Sequence, residues 1–306
     1  MVKKWYTTPF FWGFLGAFGL LAPVLLYLVI NYTQVVRLIL GSIAKEGERY
    51  FDSVTLSLGR SVETYFDAYV NTTEVIELLK QAKYGTSTEK DLARVKLFRH
   101  LFPLYKRMQS HGLRQFHFHT PDFKSFLRFH KPYLFGDTLV DIRPGVLKAN
   151  QTLQPVKGFE GGRSLSGYRY VYPILDKGDH LGSVEFGISF EEIRGRIAQH
   201  YDNTEILLLV NKNNYLKLFK ESKMLYSPSP VSENWMLEDL AGEFYSRNKY
   251  LTKSSLEFLN RIKSESAFLE KLDGGERCAI QVAYENEQYK VVSFPVYDLS
   301  GNLTAT

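Results

Sequence analysis

The alternation of apolar and polar positions divides the chain into three regimes. From Trp5 to Val36 no charged residue occurs, and Phe10 to Ile30 is almost wholly apolar. As a helix, those 21 residues span about 30 Å, the thickness of a bilayer's hydrocarbon core. A cleaved signal peptide would carry a shorter apolar run and a small-residue cleavage site. No A-x-A site follows Ile30, so the pattern predicts a retained anchor over 9–30. Trp5, Trp12, Tyr27 and Tyr32 suit its two interfaces, and Pro23 is tolerable in a membrane helix. Lys3 and Lys4 precede the run, which places residues 1–8 in the cytoplasm and 31–306 outside.

The second regime is helical. Val36, Ile39, Ile43, Tyr50, Val54, Leu58, Val62, Tyr65 and Tyr69 recur at steps of three, four or seven, with polar residues between them. This predicts one continuous stalk helix over 31–84. "YGTST" (84–88) ends it, and Ser87 or Thr88 with Glu89–Asp91 predicts the cap of a second helix. That helix runs to about 110 and is kinked or divided at Pro103.

After Gly112 the period shortens to two. "LRQFHFH", "SFLRFH", "YRYVYPIL" and "LGSVEFGISF" read as strands. A helix is predicted over about 138–151, and "GFEGGRSLSG" (158–167) reads as a glycine-rich loop. "DKGDH" joins the last two strands into a hairpin, and "FEEIRGRIAQHY" reads as a helix. A second series follows. "TEILLLVN" reads as a strand, "SENWMLEDLAGEFYSRN" and "SLEFLNRIKSESAFLEKL" as helices, and "RCAIQVAYENEQYKVVSFPVYDLSGN" as a hairpin turned at Glu285–Glu287. Each half contains a P-[IV]-x-D element, in "YPILD" and "FPVYD". The pattern predicts an α+β chain of two related modules with antiparallel sheets, divided near residue 202.

Composition narrows the function. The chain is 44% hydrophobic and 15% aromatic, which excludes extended disorder. A net charge of +5 without a basic stripe excludes nucleic acid as a partner. The single cysteine, Cys278, allows no internal disulfide and no thiolate cluster, and C-x-x-C-H, which would attach haem, is missing. G-x-S-x-G, H-E-x-x-H and the Walker lysine loop are missing too, so no enzymatic activity is expected.

The long helix leading from an apolar anchor into two modules resembles the double Cache sensory domain of bacterial chemoreceptors, sensor histidine kinases and diguanylate cyclases. "LRQFHFHTPDFKSFLRFHKPYLFGDTLVDIRPGVLKAN", "PVKGFEGGRSLSGYRYVYPI" and "GSVEFGISF" are similar to the first module of its sensor-kinase type. The likeness is strong over 112–190. From 204 onward it rests on element order. The resemblance implies a membrane-distal PAS-like module over 85–202, a membrane-proximal one over 203–306, and a homodimer through the stalk. It also implies a second membrane helix and a cytoplasmic output domain, whereas this sequence stops at "GNLTAT" in its last hairpin, as a truncated product would or with its output beyond.

The chemistry concentrates in the first module. His117 and His119, two apart on a strand, share a face and with His130 form the only metal candidate. No cysteine or second H-x-H pair supports it, and neither metal nor cofactor is expected. A Cache ligand lies against one face of the sheet, so the ligand candidates are Arg128, Arg169, Tyr168, Tyr170, His117, His119, Glu185 and Asp137. An arginine grips a carboxylate with two parallel donors. Tyr168, Tyr170 and Tyr172 form an aromatic wall on one strand face. Glu185, between Val184 and Phe186, needs a cation, from an amine or an arginine. Structural readings stand beside these: a salt-bridge network for Arg128, Arg169 and Glu185, core packing for the tyrosines, and a helix cap for Asp137. The expectation is an extracytoplasmic receptor region that binds a small carboxylate- or amine-bearing ligand and relays the change through the stalk. The alternative is an ectodomain that recognises a periplasmic binding protein or co-receptor.

Overall fold

The structure, a computed structural model, describes residues 9–161, 166–201, 204–218, 220–238 and 253–306. Helix α1 (Pro9–Tyr65) ends in a π-helical turn at Phe66–Val70. The chain then breaks at Asn71 and restarts as α2 (Thr73–Tyr84) on the cap of Thr72. The stalk is therefore two helices where the periodicity predicts one. The π turn adds a residue to the repeat, a change of phase that apolar spacing does not reveal. Helix α3 (Ser87–Gln109) begins at Thr86, one residue before the predicted caps, in a reciprocal capping box with Glu89. It contains Pro103 and remains one helix.

The first sheet comprises β1 (Leu113–His119), β2 (Ser125–Arg128), β3 (Val156–Gly161), β4 (Ser166–Asp176) and β5 (Asp179–Ser189). Its order is β2-β1-β5-β4-β3, with every pairing antiparallel. The segment "GFEG" belongs to strand β3, with residues 162–165 outside the described residues. Helix α4 (Pro144–Thr152) is shorter than predicted and starts with proline in its first turn, where no amide donor is needed. The β4–β5 hairpin turns at Lys177 and Gly178, with φ of 49° and 90°, as a two-residue type I′ turn requires. At Gly182 (φ 126°) a Cβ would lie 2.1 Å from the His119 carbonyl oxygen, so only glycine admits the close strand crossing there.

Helix α5 (Phe190–Ala198) leads into the second module. Its elements are β6 (Leu209–Asn211), α6 (Lys212–Leu216), α7 (Lys220–Lys223), β7 (Tyr226–Pro228), β8 (Trp235–Glu238), α8 (Lys253–Ile262), α9 (Ser266–Asp273), β9 (Cys278–Tyr284), β10 (Glu287–Ser293), β11 (Val296–Tyr297) and β12 (Leu303–Ala305). The predicted strand over 204–211 shrinks to its last three residues. "WMLE", predicted as helix, is strand β8; the rest of that predicted helix, from residue 239, lies outside the described residues. The helical stretch "SLEFLNRIKSESAFLEKL" is divided between two helices, α8 and α9. The β9–β10 hairpin turns at Glu285 and Asn286, both with positive φ. The order β8-β6-β12-β11 repeats β2-β1-β5-β4 of the first sheet. Pro173–Asp176 in β4 and Pro295–Asp298 at β11 occupy the same place in that order.

One apolar core joins the stalk to both sheets. Val54, Leu58 and Val62 of α1 are buried with Phe116, Phe118, Tyr170 and Phe186 of the first sheet and Val210, Met236 and Val296 of the second. Lower on α1, Phe51 meets Phe294 at 5.5 Å and Glu48 pairs with Arg277 at 2.5 Å. A single helix thus touches both modules in turn. The modules also meet directly, where Asp298 bridges to Phe159 and Leu299 seats against Gly145 and Gly158. A Cβ on Gly158 would approach Leu299 to 2.5 Å. Toward the N-terminus, among the described residues, α1 packs against no other element. The large apolar side chains from Leu21 to Ile30 are 46–66% exposed, and this helix is long and apolar enough to cross a membrane.

The two faces of α1 make different demands. Leu58→Ala, at a site only 2% exposed, is expected to cost about 2–5 kcal/mol. Leu56→Ala, two residues away and 44% exposed, is expected to stay within about 0.5 kcal/mol. Denaturant unfolding of the full chain in detergent compares them.

Candidate functional site

Opposed residues in antiparallel strands share a face, and here the register sorts chemistry cleanly. On the stalk side Phe116, Phe186 and Tyr170 align across three strands, as do Phe118, Val184 and Tyr172. On the outer side Gln115, Gly187, Arg169 and Gly158 form one row, and Arg128, His117, Glu185 and Val171 the next. His119 and Ser183 follow. The outer face is polar yet buried: Arg169 is 3% exposed and Glu185 not at all. Helix α4 and the segment leading to it cover this face, packing Val146 and Ala149 on Val156 and Val171.

Arg169 is the centre of the layer. Its Nη1 donates to Glu185 Oε1 at 2.5 Å and to Gln115 Oε1, and its Nε lies 3.4 Å from Glu160 Oε2. Arg143, at the cap of α4, reaches down from the cover, donating to Gln115 at 3.3 Å and lying 3.8 Å from Glu185 Oε2. Glu160 Oε1 accepts the Gly145 N–H at 2.6 Å, tying the first turn of α4 to the sheet. Burial alone would raise the Glu185 pKa, but Arg169 and Arg143 outweigh it and bring it to about 2. Burial raises that of Glu160 despite Arg169, since the guanidinium stands closer to its rival.

The histidines sit beside this network as neutral rings. Burial lowers the pKa of His117 well below its usual value, that of His119 to about 3 and that of His130 to about 4. His117 Nε2 bonds the Ser125 hydroxyl at 2.8 Å and His119 Nδ1 that of Ser183 at 3.0 Å. Among the described residues no group of three His, Cys, Asp or Glu side chains is placed to hold a metal. Several buried polar atoms in the layer make no hydrogen bond: Glu185 Oε2, Arg143 Nη1, His119 Nε2 and Asn150 Nδ2.

The structure brings together Arg169, Glu185, His117 and His119 from the sequence-derived candidates, keeps Arg128 at the edge of the same face beside His117, and turns the tyrosines away. Tyr168 and Tyr170 point to the stalk. The Tyr170 hydroxyl donates to the Thr55 carbonyl at 2.6 Å and Tyr168 packs on Phe51 at 5.8 Å. Their wall faces α1, because residue parity puts them opposite Arg169. Arg128 grips Asp137 with two bonds of 2.7 Å and donates to the Leu134 carbonyl. Asp137 therefore pins the covering loop and caps no helix, as α4 starts seven residues later. Sequence reasoning missed Gln115, Arg143, Asn150 and Glu160. Gln115 lies two residues before His117 on the same strand face, a signal that was available. Glu160 was hidden by reading its strand as a loop.

Two sheets of one strand order on a shared helix define a tandem sensory domain. The chain belongs to the family described as the double sensory domain of two-component sensor kinases, whose profile matches residues 57–229. Among solved structures it is similar to the sensor domain of the V. cholerae histidine kinase DctB, at 13% identity over 56% of this chain and 63% of that one, with a TM-score of 0.36. It therefore spans less than two thirds of that domain. It is also similar to a domain of a putative sensory box/GGDEF family protein from Vibrio parahaemolyticus (11% identity, 87% and 94% covered, TM-score 0.40). A third likeness is to the ligand-binding domain of the Campylobacter jejuni chemoreceptor Tlp3 in complex with L-norvaline (13% identity, 82% and 85% covered, TM-score 0.35). No curated protein matches the chain.

The ion network makes two outcomes measurable. Arg169→Met strands two buried carboxylates and is expected to cost about 3–5 kcal/mol in chemical denaturation at pH 7. Because the pKa of Glu185 is depressed on folding, its contribution is complete above the ordinary value of 4.5 and is lost as pH falls toward about 2. The stability difference between wild type and Glu185→Gln should therefore shrink across that window.

Proposed function

We propose that the chain is the extracytoplasmic sensing region of a membrane receptor. It is anchored by the apolar part of α1 and binds a small carboxylate- or amine-bearing ligand between the first sheet and α4. The observation that carries this reading is the contrast between equivalent sheet faces. The outer face of the first sheet is a buried layer of Arg169, Glu185, His117 and His119, with unspent donors and acceptors on Glu185, His119, Arg143 and Asn150. The corresponding face of the second sheet is an apolar core of Leu209, Trp235 and Leu237 with Leu259, Ile262 and Phe268. Unpaired buried polar groups are costly, and a ligand with its own donor and acceptor satisfies them.

Arg143 is the group placed to respond, since it reaches into the layer from the cover itself. A ligand that draws Arg143 away from Gln115 shifts α4, and with it Leu299 and the stalk, by no more than its difference in affinity for the two arrangements. Lys3 and Lys4 orient the anchor with its N-terminus inside, and a homodimer through α1 would carry the movement across the membrane.

The full chain in detergent is expected to gain thermal stability with at least one member of a panel of amino acids, organic acids and amines. Arg143→Gln should weaken that ligand about tenfold or more, read as the ligand-induced shift relative to the variant's own ligand-free melt. Absence of any shift, or a shift that Arg143→Gln leaves intact, rejects the site. A second reading, docking of a periplasmic protein, is favoured by the exposed Tyr133, Leu134 and Phe135 on the covering loop. Tyr133→Ala would then abolish stoichiometric capture of that protein and leave small-molecule responses unchanged.

A further inference from the structure

The two modules also meet across one buried carboxylate. Glu238 ends β8, aligned with Tyr226 of β7, and is 5% exposed. Arg194 of α5, in the first module's terminal helix, brings Nη2 to 3.7 Å from Glu238 Oε2. That separation exceeds a hydrogen bond, and Oε2 accepts none. Beside it lies a cavity of about 20 Å³ lined by Arg114, Gln115, Ser166, Arg169, Glu191 and Glu238, room for about one water. One void therefore touches the second module's carboxylate and two members of the first module's polar layer.

The charged and titratable groups facing Glu238 among the described residues come from every neighbouring element. Arg194 and Glu191 stand on α5, Arg114 on β1, and the Tyr226 phenol on β7. Arg114 is engaged by Glu191 at 3.1 Å, and the Tyr226 hydroxyl accepts the Ser166 N–H at 3.4 Å across the junction. Ionised, Glu238 is attracted by two arginines, opposed by Glu191 and left with room beside it for no more than about one water. Neutral, Glu238 brings no desolvated charge of its own into the closed junction.

We propose that Glu238 is a proton-operated latch between the modules: neutral, it stays buried and keeps them closed on each other, and ionised, it drives the junction toward an open arrangement in which the carboxylate is hydrated. Burial raises its pKa to about 7, with Arg194 and Arg114 pulling it down and Glu191 pushing it up, so the latch works near neutrality. The sign follows from linkage. A carboxyl whose pKa is raised in the closed state stabilises that state fully below its ordinary value of 4.5 and loses the contribution as pH rises through about 7. Within that window the open-to-closed ratio rises by up to about tenfold per pH unit. Protons are thus a second input, separate from any ligand under α4.

The test is hydrogen exchange of the full chain in detergent at pH 6 and pH 8, expressed as protection factors so that intrinsic exchange rates cancel. Wild type is expected to lose several-fold protection in α5 and β7–β8 at the higher pH, while Glu238→Gln, an uncharged isostere, stays protected at both. Equal pH dependence in the two proteins, or none in wild type, overturns the proposal. Should the variant fail to fold, infrared titration of wild type decides. Because burial also raises the pKa of Glu160, the titration is repeated on Glu160→Gln: a buried carboxylic-acid carbonyl band present at pH 6 and lost by pH 8 in both proteins supports the latch, and its absence at pH 6 in either sinks it.

Discussion

The pair of Arg169 and Glu185 lets one face of the first sheet be polar and buried at once. Charges removed from water are tolerated only when paired and hydrogen-bonded, and this pair sits where β4 and β5 run side by side. The remaining polar groups arrange themselves around it. Gln115 shares the guanidinium, Glu160 takes its far edge and the Gly145 amide, and Arg143 closes from above. The position of α4 is thereby set by polar satisfaction at its first turn as well as by the apolar contacts of Val146 and Ala149. Because the charge is confined to one side, the other face is left free to accept the stalk.

The same strand order appears twice with opposite chemistry on its outer face. In the second module α8 and α9 lie over Leu209, Trp235 and Leu237 in an apolar core. The difference is physical: one outer face is a buried polar layer built on an ion pair, and the other is an apolar core. Helix α1 contacts both in succession, through Phe51 and Glu48 below and Leu58 and Val62 above. Its helical register is therefore the common reference for the two sheets.

Much of this was legible in the residues, within a definite limit. Period-two alternation identified β1, β2, β4 and β5 of the first sheet but not β3, and the two P-[IV]-x-D elements marked equivalent positions in both modules. Alternation says which residues share a face and not which face meets the stalk, so Tyr168 and Tyr170 were grouped with Arg169 although parity separates them. The π turn after Tyr65 and the strand at Trp235–Glu238 escaped because tertiary packing overrides local propensity there. Arg143 could not be seen as part of the site. It lies 26 residues before Arg169 in a segment read as helix, and only the folded cover brings it to the sheet.

The seat of Leu299 against Gly145 and Gly158 carries a consequence for recombination. Two glycines in one module and a leucine in the other form a steric lock whose halves lie far apart in sequence, so the modules are not interchangeable parts. A graft that joins this first module to a foreign second one inherits an empty slot over the start of α4. The converse graft, with any side chain at position 158, drives that side chain into Leu299. A working chimera must carry all three residues or replace all three, and the smallest transferable unit is the tandem itself.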